Sequence, residues 1–352
     1  MFVEDSTVAG RKTLRSIRLA RETANGTRAT PRYLWRGTGD WVADEREVTK
    51  VEELVGISGG VDRTYIAKLK ASVELAETEA TYSQLPALIL GLGFSTANAI
   101  NGVNAGGSWV YSYWVPGTQF FQNFSYTVEA GDNVESQVAL YAVTEELSLT
   151  FAAGEAVKVN ANLISQYGTR TNAEGSFTAV GTLEPVDVIL SSLGTVYLAP
   201  ETAAASMASY QVSAGNILGG ELTMKAMWSP KYWLDGGDLF PGTMVLTGHE
   251  ITGKLTFEHQ KSGTFGAAGS QGQIEKWRNQ QAQLMQLSWR DGTDVLNIML
   301  PIKWDTLQEY DDQDGNNIVS GEFTSKYNET LGHRGSITIH STYPSRIIGT
   351  TA

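Results

Sequence analysis

Cysteine is absent from the sequence. That excludes disulfides, a thiol nucleophile and thiolate metal sites together. Histidine is nearly absent, with only His249, His259, His333 and His340. His249 and His259 fall on one alternating stretch, roughly 30 Å apart at ~3.3 Å per residue, too far to share a metal. His333 and His340 read as ordinary surface or loop residues. Charge is sparse, 18% of residues against the ~25% of an average soluble domain. The longest apolar run, Leu85 to Phe94, is short of the ~20 residues a membrane span needs. The opening Met-Phe-Val-Glu-Asp lacks the basic-then-apolar order of a secretory signal. No Gly-rich phosphate loop with its Lys occurs, nor a basic and aromatic surface for single-stranded nucleic acid.

Glycine, by contrast, is abundant, 37 of 352 residues, with 41% hydrophobic residues. Such a composition favours strands and turns over a helical bundle and excludes wholesale disorder. The net charge of −12 is uneven. Residues 1–50 hold ten Lys/Arg and seven Asp/Glu, and residues 51–352 hold sixteen and thirty-one. An acidic body disfavours gripping nucleic acid phosphates, though not letting DNA pass without sticking.

Residues 1–32 are polar and basic, and read as an arm or a short helix. Arg11, Arg15, Arg18 and Arg21 punctuate Leu14, Ile17 and Leu19. From Tyr65 to Leu75 the pattern has period two. Ala67, Leu69, Ala71, Val73 and Leu75 take one face, and Lys68, Lys70, Ser72 and Glu74 the other. Thr81 to Pro86 then opens a helix, with Pro in its first turn. Leu85, Leu88, Ile89 and Leu92 form its stripe, and Gly91 and Gly93 end it. Further strands are predicted over 109–115, 124–129, 138–151 and 157–167. The plan then recurs. A strand over 221–228 precedes the alternation 249–259, where Ile251, Leu255 and Phe257 oppose Glu250, Thr252, Lys254 and Glu258. A helix stripe over 274–287 follows, then strands over 295–304, 317–327 and 336–341. The order strand, loop, helix, strand, strand thus occurs twice. It gives an arm over 1–32 and two β domains over 33–190 and 191–352.

Chemistry is thin. Gly56-Ile57-Ser58-Gly59-Gly60 has the letters of a nucleophile elbow, but no helical pattern follows it, and a turn is the better reading. Asp311 to Asn317 resembles a calcium loop. With Gly315 at the sixth position, Tyr310 and Gly321 stand where the first and last ligands belong, so a hairpin turn is expected instead. The nine Trp and fourteen Tyr sit mostly within strand patterns, as packing residues do.

The order of these features resembles the major tail tube proteins of long, flexible-tailed bacteriophages. Arg21-Glu22-Thr23-Ala24-Asn25-Gly26-Thr27 is similar to the Glu-Thr-x-x-Gly-Thr opening common among them. The strand 65–75, running through Glu77-Thr78-Glu79 into the helix at Tyr82 to Pro86, is a second cue. The hairpins that follow, and a second such unit, are a third. The resemblance implies a mainly β chain of two tandem β-sandwich or barrel domains, each with a flanking α-helix. It implies a structural, non-enzymatic virion protein of the tail, made in the host cytoplasm. Rings of three chains would give pseudo-sixfold closure and stack into a conduit for DNA ejection, which DNA crosses without specific binding. Tape measure and tail terminator proteins are the other partners it implies, with no membrane and no cofactor or metal. Lys68, Lys70, Ser72, Glu74, Glu250, Thr252, Lys254 and Glu258 are the candidate lumen-facing residues. Arg11, Leu14, Arg15, Ile17, Arg18, Leu19 and Arg21 are the candidate inter-subunit arm. The alternative from another class is a carbohydrate-binding β-sandwich module, a decoration or receptor-binding protein.

Overall fold

The structure is a computed structural model. It describes residues 15–53, 61–96, 102–105, 107–116, 124–132, 134–171, 181–212, 217–234, 238–259, 270–307, 311–313 and 315–348. The chain begins with β1 (Ser16–Arg21), β2 (Tyr33–Leu34), β3 (Ala43–Glu53) and β4 (Val61–Glu79), then helix α1 (Leu85–Gly91). Next come β5 (Ser95–Thr96), β6 (Val103–Ala105), β7 (Ser108–Pro116), β8 (Tyr126–Gly131), β9 (Ser136–Ala152), β10 (Lys158–Ser165), β11 (Tyr167–Thr171) and β12 (Thr182–Leu183). The remainder holds β13 (Gly194–Pro200), β14 (Ile217–Lys231), β15 (Thr243–Glu258), α2 (Ser270–Arg278), β16 (Gln283–Asp291), β17 (Asp294–Leu307), β18 (Asp311–Gln313), β19 (Asn316–Ser325) and β20 (His333–Ser341). The chain is mainly β, in keeping with a β-sandwich type of fold.

Period-two alternation does what the sequence requires of it. On β4, Ala71, Val73 and Leu75 are buried while Lys68, Lys70 and Glu74 are exposed. On β15, Ile251, Leu255 and Phe257 are buried while Glu250 and Lys254 are exposed. Burying the apolar face of such a strand contributes ~25 cal/mol per Å² removed from water. The Asp311 to Asn317 stretch is the expected hairpin. Gln313 pairs with Asn316, and Gly315, at φ +84°, donates its N–H to Asp312 Oδ1.

Three expectations are corrected. First, α1 is buried on every side, not along one stripe: Leu85 through Gly91 are all buried. Tyrosine hydroxyls reach its backbone, Tyr113 Oη donating to Pro86 O (3.2 Å) and Tyr126 Oη to Ala87 O (2.7 Å). Second, the helix read over 274–287 stops at Arg278. Gln280 takes φ 51°, and Leu284, Met285 and Leu287 belong to β16, between β13 and β17. A short, continuously apolar strand cannot be told from a buried helix by periodicity. Third, the part of the basic arm that is described is a strand, not a helix. Ser16–Arg21 pairs antiparallel with the chain's own β8, and Ile17, Arg18 and Leu19 are buried there. The Gly56 to Gly60 motif lies outside the described residues.

Two long strands change partners along their length. The first half of β9 lies between β8 and β11, and its second half between β10 and β14. The first half of β17 lies between β16 and β20, and its second half pairs with β19. Each strand turns the corner at a β-bulge. The register to β10 skips Glu145, and the register to β19 skips Asp305. Bulges bend and twist a strand at such corners.

Candidate assembly interface

The pairings of the first half recur in the second. β3 and β4 form an antiparallel hairpin, β4 pairs with β10, β10 with β9, and β9 with β8, which pairs with β1. Likewise β14 and β15 form a hairpin, β15 pairs with β19, β19 with β17, and β17 with β16, which pairs with β13. Helix α1 follows β4, and α2 follows β15. The two four-stranded groups join where β14 pairs with β9. One sheet therefore runs β3-β4-β10-β9-β14-β15-β19-β17.

Registered partners share a face, so the pairings trace polar rows across this sheet. One row is Glu74, Asn162, Glu146, Lys225, Glu250. The next is Asn160, Ser148, Thr223, Thr252, Thr324, Lys303. A third is Lys158, Thr150, Glu221, Lys254, Glu322, Thr306. The eight candidate lumen residues, from two separate stretches of sequence, thus lie on one face of one sheet. The sequence reading missed their neighbours, above all Glu45 and Glu47 on β3. Their signal was complementarity, since each carboxylate sits opposite a lysine of β4.

Both signs of charge stand on this face, with Glu45, Glu47, Glu74, Glu77, Glu79, Glu146, Glu221, Glu250, Glu258 and Glu322 beside Lys68, Lys70, Lys158, Lys225, Lys254 and Lys303. Four of these lysines are ion-paired. Lys68 meets Glu47 (3.1 Å), Lys70 meets Glu45 (2.7 Å), Lys158 meets Glu77 (3.2 Å) and Lys225 meets Glu146 (3.2 Å). Lys70 holds the Glu45 carboxyl below its ordinary range, and Glu45 raises Lys70 in turn.

The join between the groups is more than a strand contact. Trp228 of β14 donates from Nε1 to Thr144 O of β9 (2.8 Å). His249 of β15 donates from Nε2 to Leu92 O, at the end of α1 (2.7 Å), and lies edge-on to Phe94 at 4.8 Å. Burial lowers His249 to about 4, with Arg334 nearby contributing. The ring is therefore neutral at pH 7.

Two carboxylates lock the remaining elements. Glu22, at the head of the Glu-Thr-x-x-Gly-Thr stretch, is buried and accepts four hydrogen bonds. They come from Gly26 N (2.7 Å), Ser125 Oγ (2.6 Å), Thr127 Oγ1 (3.0 Å) and Tyr141 N (3.0 Å). Gly26 needs its φ of +78° for this turn, and Tyr141 is held at φ 56°. Glu184 is fully buried. Its Oε1 accepts from Arg346 N (3.0 Å), while Oε2 meets no donor at hydrogen-bond distance among the described residues. Burial pushes Glu184 up to about 7 and its neighbour Asp187, bonded to Ser83 Oγ (2.9 Å), up to about 6.

Of the candidate arm, Arg11 and Leu14 lie outside the described residues. Arg15 stands over the Trp41 ring at 5.8 Å, Arg18 is registered against Glu129, and Arg21 N donates to Ile347 O (3.2 Å). Among the described residues no cluster of His, Asp or Glu has the arrangement to hold a metal ion, and no helix is long and apolar enough to cross a membrane.

No family model matches the chain, and no curated protein does. Among solved structures, a weak likeness is found to the SPP1 tail tube, determined by solid-state NMR and cryo-EM. The two are 13% identical, with a TM-score of 0.27, over 46% of this chain and 87% of that one.

Proposed function

We propose that the chain is a tail tube subunit: a structural protein whose copies close into rings that stack around a DNA conduit. The observation that carries this reading is the join of two like four-stranded groups into one sheet through β9 and β14. A chain that links its own two halves edge to edge already contains the operation that builds a closed wall. Such a wall removes the exposed edges that make open sheets aggregate. In this reading residues 33–190 and 191–352 are the two tandem domains, and three chains give pseudo-sixfold closure. The polar face lines the bore. Its lysines are largely held by carboxylates of the same face, which leaves few cations for DNA phosphates to grip. The protein acts without catalysis, in the virion tail, with tape measure and tail terminator proteins as its other partners.

The carbohydrate-binding alternative needs aromatic faces open to solvent. Tyr82, Tyr111, Tyr113, Tyr126, Trp289 and Trp304 are all spent in the core, and the exposed Tyr65, Trp233, Tyr327 and Tyr343 come from four separate stretches of sequence. Electron microscopy of the purified protein tests the proposal. Hollow rings or tubes are expected. Discrete particles at every salt and protein concentration would refute it.

A further inference from the structure

The internal join predicts where the next copy attaches. At that join, Lys225 of β14 is registered against Glu146 of β9. Lys225 also pairs with Glu250, four residues before Lys254, which leads through Glu322 to Thr306 on β17. In the first half, Glu45 pairs with Lys70, four residues before Glu74, which leads through Asn162 to Glu146. Glu45 of β3 is thus the counterpart of Lys225, and Thr306 of β17 the counterpart of Glu146. The bulges at Glu145 and Asp305 fall at matching places, which fixes the register to the residue.

Two edges are left over among the described residues. β3 pairs only with β4, and β17 beyond Ile302 pairs only with β19. Trp277 of α2 already takes the carbonyl of Asp305 (3.1 Å), so the open edge begins at Thr306. We infer that β3 of a second copy pairs antiparallel with this edge of β17, with Glu45 opposite Thr306 and Asp44 opposite Leu307. The inference rests on the tube reading above and adds to it the edges and their register.

Two further observations point to a second copy as the occupant. Val48 is the counterpart of Trp228, since each follows the register slip in its hairpin. Trp228 is covered at the internal join, at 7% exposure, whereas Val48 is 53% exposed. A surface buried once within the chain is therefore open at the matching place. The helices also suit. At the internal join, α1 meets the second hairpin, where His249 of β15 bonds Leu92 O, and the same operation brings α2 to the β3–β4 hairpin of the second copy.

The lack of native cysteine makes the test clean. The double variant Glu45→Cys with Thr306→Cys is assembled and oxidised. Registered partners across strands have Cβ atoms ~4.5–5.5 Å apart, within reach of a disulfide after a small adjustment. A ladder of disulfide-linked multimers ending at the closed ring is expected. Arg46→Cys with Thr306→Cys, one residue out of register and on the opposite face, should give roughly tenfold less. Both replaced sites lie away from the core. Hydrogen exchange on the unmutated protein supplies a second readout, with amides of residues 43–47 gaining protection on assembly. Rings that show neither the cross-link nor the protection overturn the edge assignment and leave the tube reading intact. A protein that forms no rings at all overturns both.

Discussion

Replacing Glu184 by Gln should stabilise the protein above pH 7 and have little effect near pH 4. Glu184 is fully buried, and its pKa stands at about 7 against an ordinary 4.5. The folded state therefore holds this proton more tightly than the unfolded chain does. Stability is at its full value below the unfolded pKa and is lost as pH rises through the folded one. At ~1.4 kcal/mol per unit, the loss reaches about 3 kcal/mol. Asp187, pushed up to about 6, adds a loss of the same sign. His249 works the other way. Its pKa falls from an ordinary 6.5 to about 4, so the folded state releases a proton that the unfolded chain keeps. That group gains stability as pH rises from about 4 to 6.5, by a similar ~3 kcal/mol. The two windows overlap, so the wild-type profile between pH 4 and 7 should be flatter than either residue alone would make it. The variants separate them. Thermal unfolding of Glu184→Gln and wild type is compared at pH 4 and pH 8. For a chain of this size ~2 °C per kcal/mol applies, so the variant should melt about 5 °C higher at pH 8. A variant that melts lower than wild type at pH 8, or whose advantage is the same at both pH values, refutes the reasoning.

Four further outcomes follow from the same geometry. His249→Phe should melt higher than wild type at pH 4.5 and slightly lower at pH 8, where it loses the bond to Leu92 O; equal shifts at both pH values would show that burial of the ring does not set its titration. Glu22→Ala leaves four donors without their acceptor, and urea unfolding should register a loss of about 3–5 kcal/mol. Gly253→Ala places a methyl against the Phe323 ring and 2.6 Å from Glu221 O, so the sheet must shift, at about 1–3 kcal/mol, read as a lower melting temperature. Lys70→Met, which removes an exposed ion pair, should change stability by less than about 1 kcal/mol.

What was legible in the sequence is what period two can carry. The strands at 65–75 and 249–259 read correctly because each has one wet and one dry face, and the burial of Val73 and Leu255 follows from that alone. β3 was invisible for the same reason. Ala43–Glu53 is rich in charge, and its alternation shows only once Glu45 and Glu47 stand beside Lys70 and Lys68. The strand is specified by its neighbour more than by its own pattern. β1 was hidden by Arg18, a buried arginine registered against the equally buried Glu129, so a core strand looked like a solvated arm.

The site was legible only in halves for a related reason. Lys68 to Glu74 and Glu250 to Glu258 are some 180 residues apart, and nothing in either stretch says that they share a face. That fact is created by β9 and β14, whose pairing sets Lys225 beside Glu146. The second half of β9 alternates, but one side faces the core and the other a polar row, as on any half-buried strand. What distinguishes it is a strand on each flank, and period-two patterning is the same at an edge as in the middle of a sheet. The bulge at Glu145 is the one local trace of the corner. Its repetition at Asp305, where among the described residues no strand yet pairs on the far side beyond Ile302, makes the open edge of β17 recognisable as the place where the same join is to be made again.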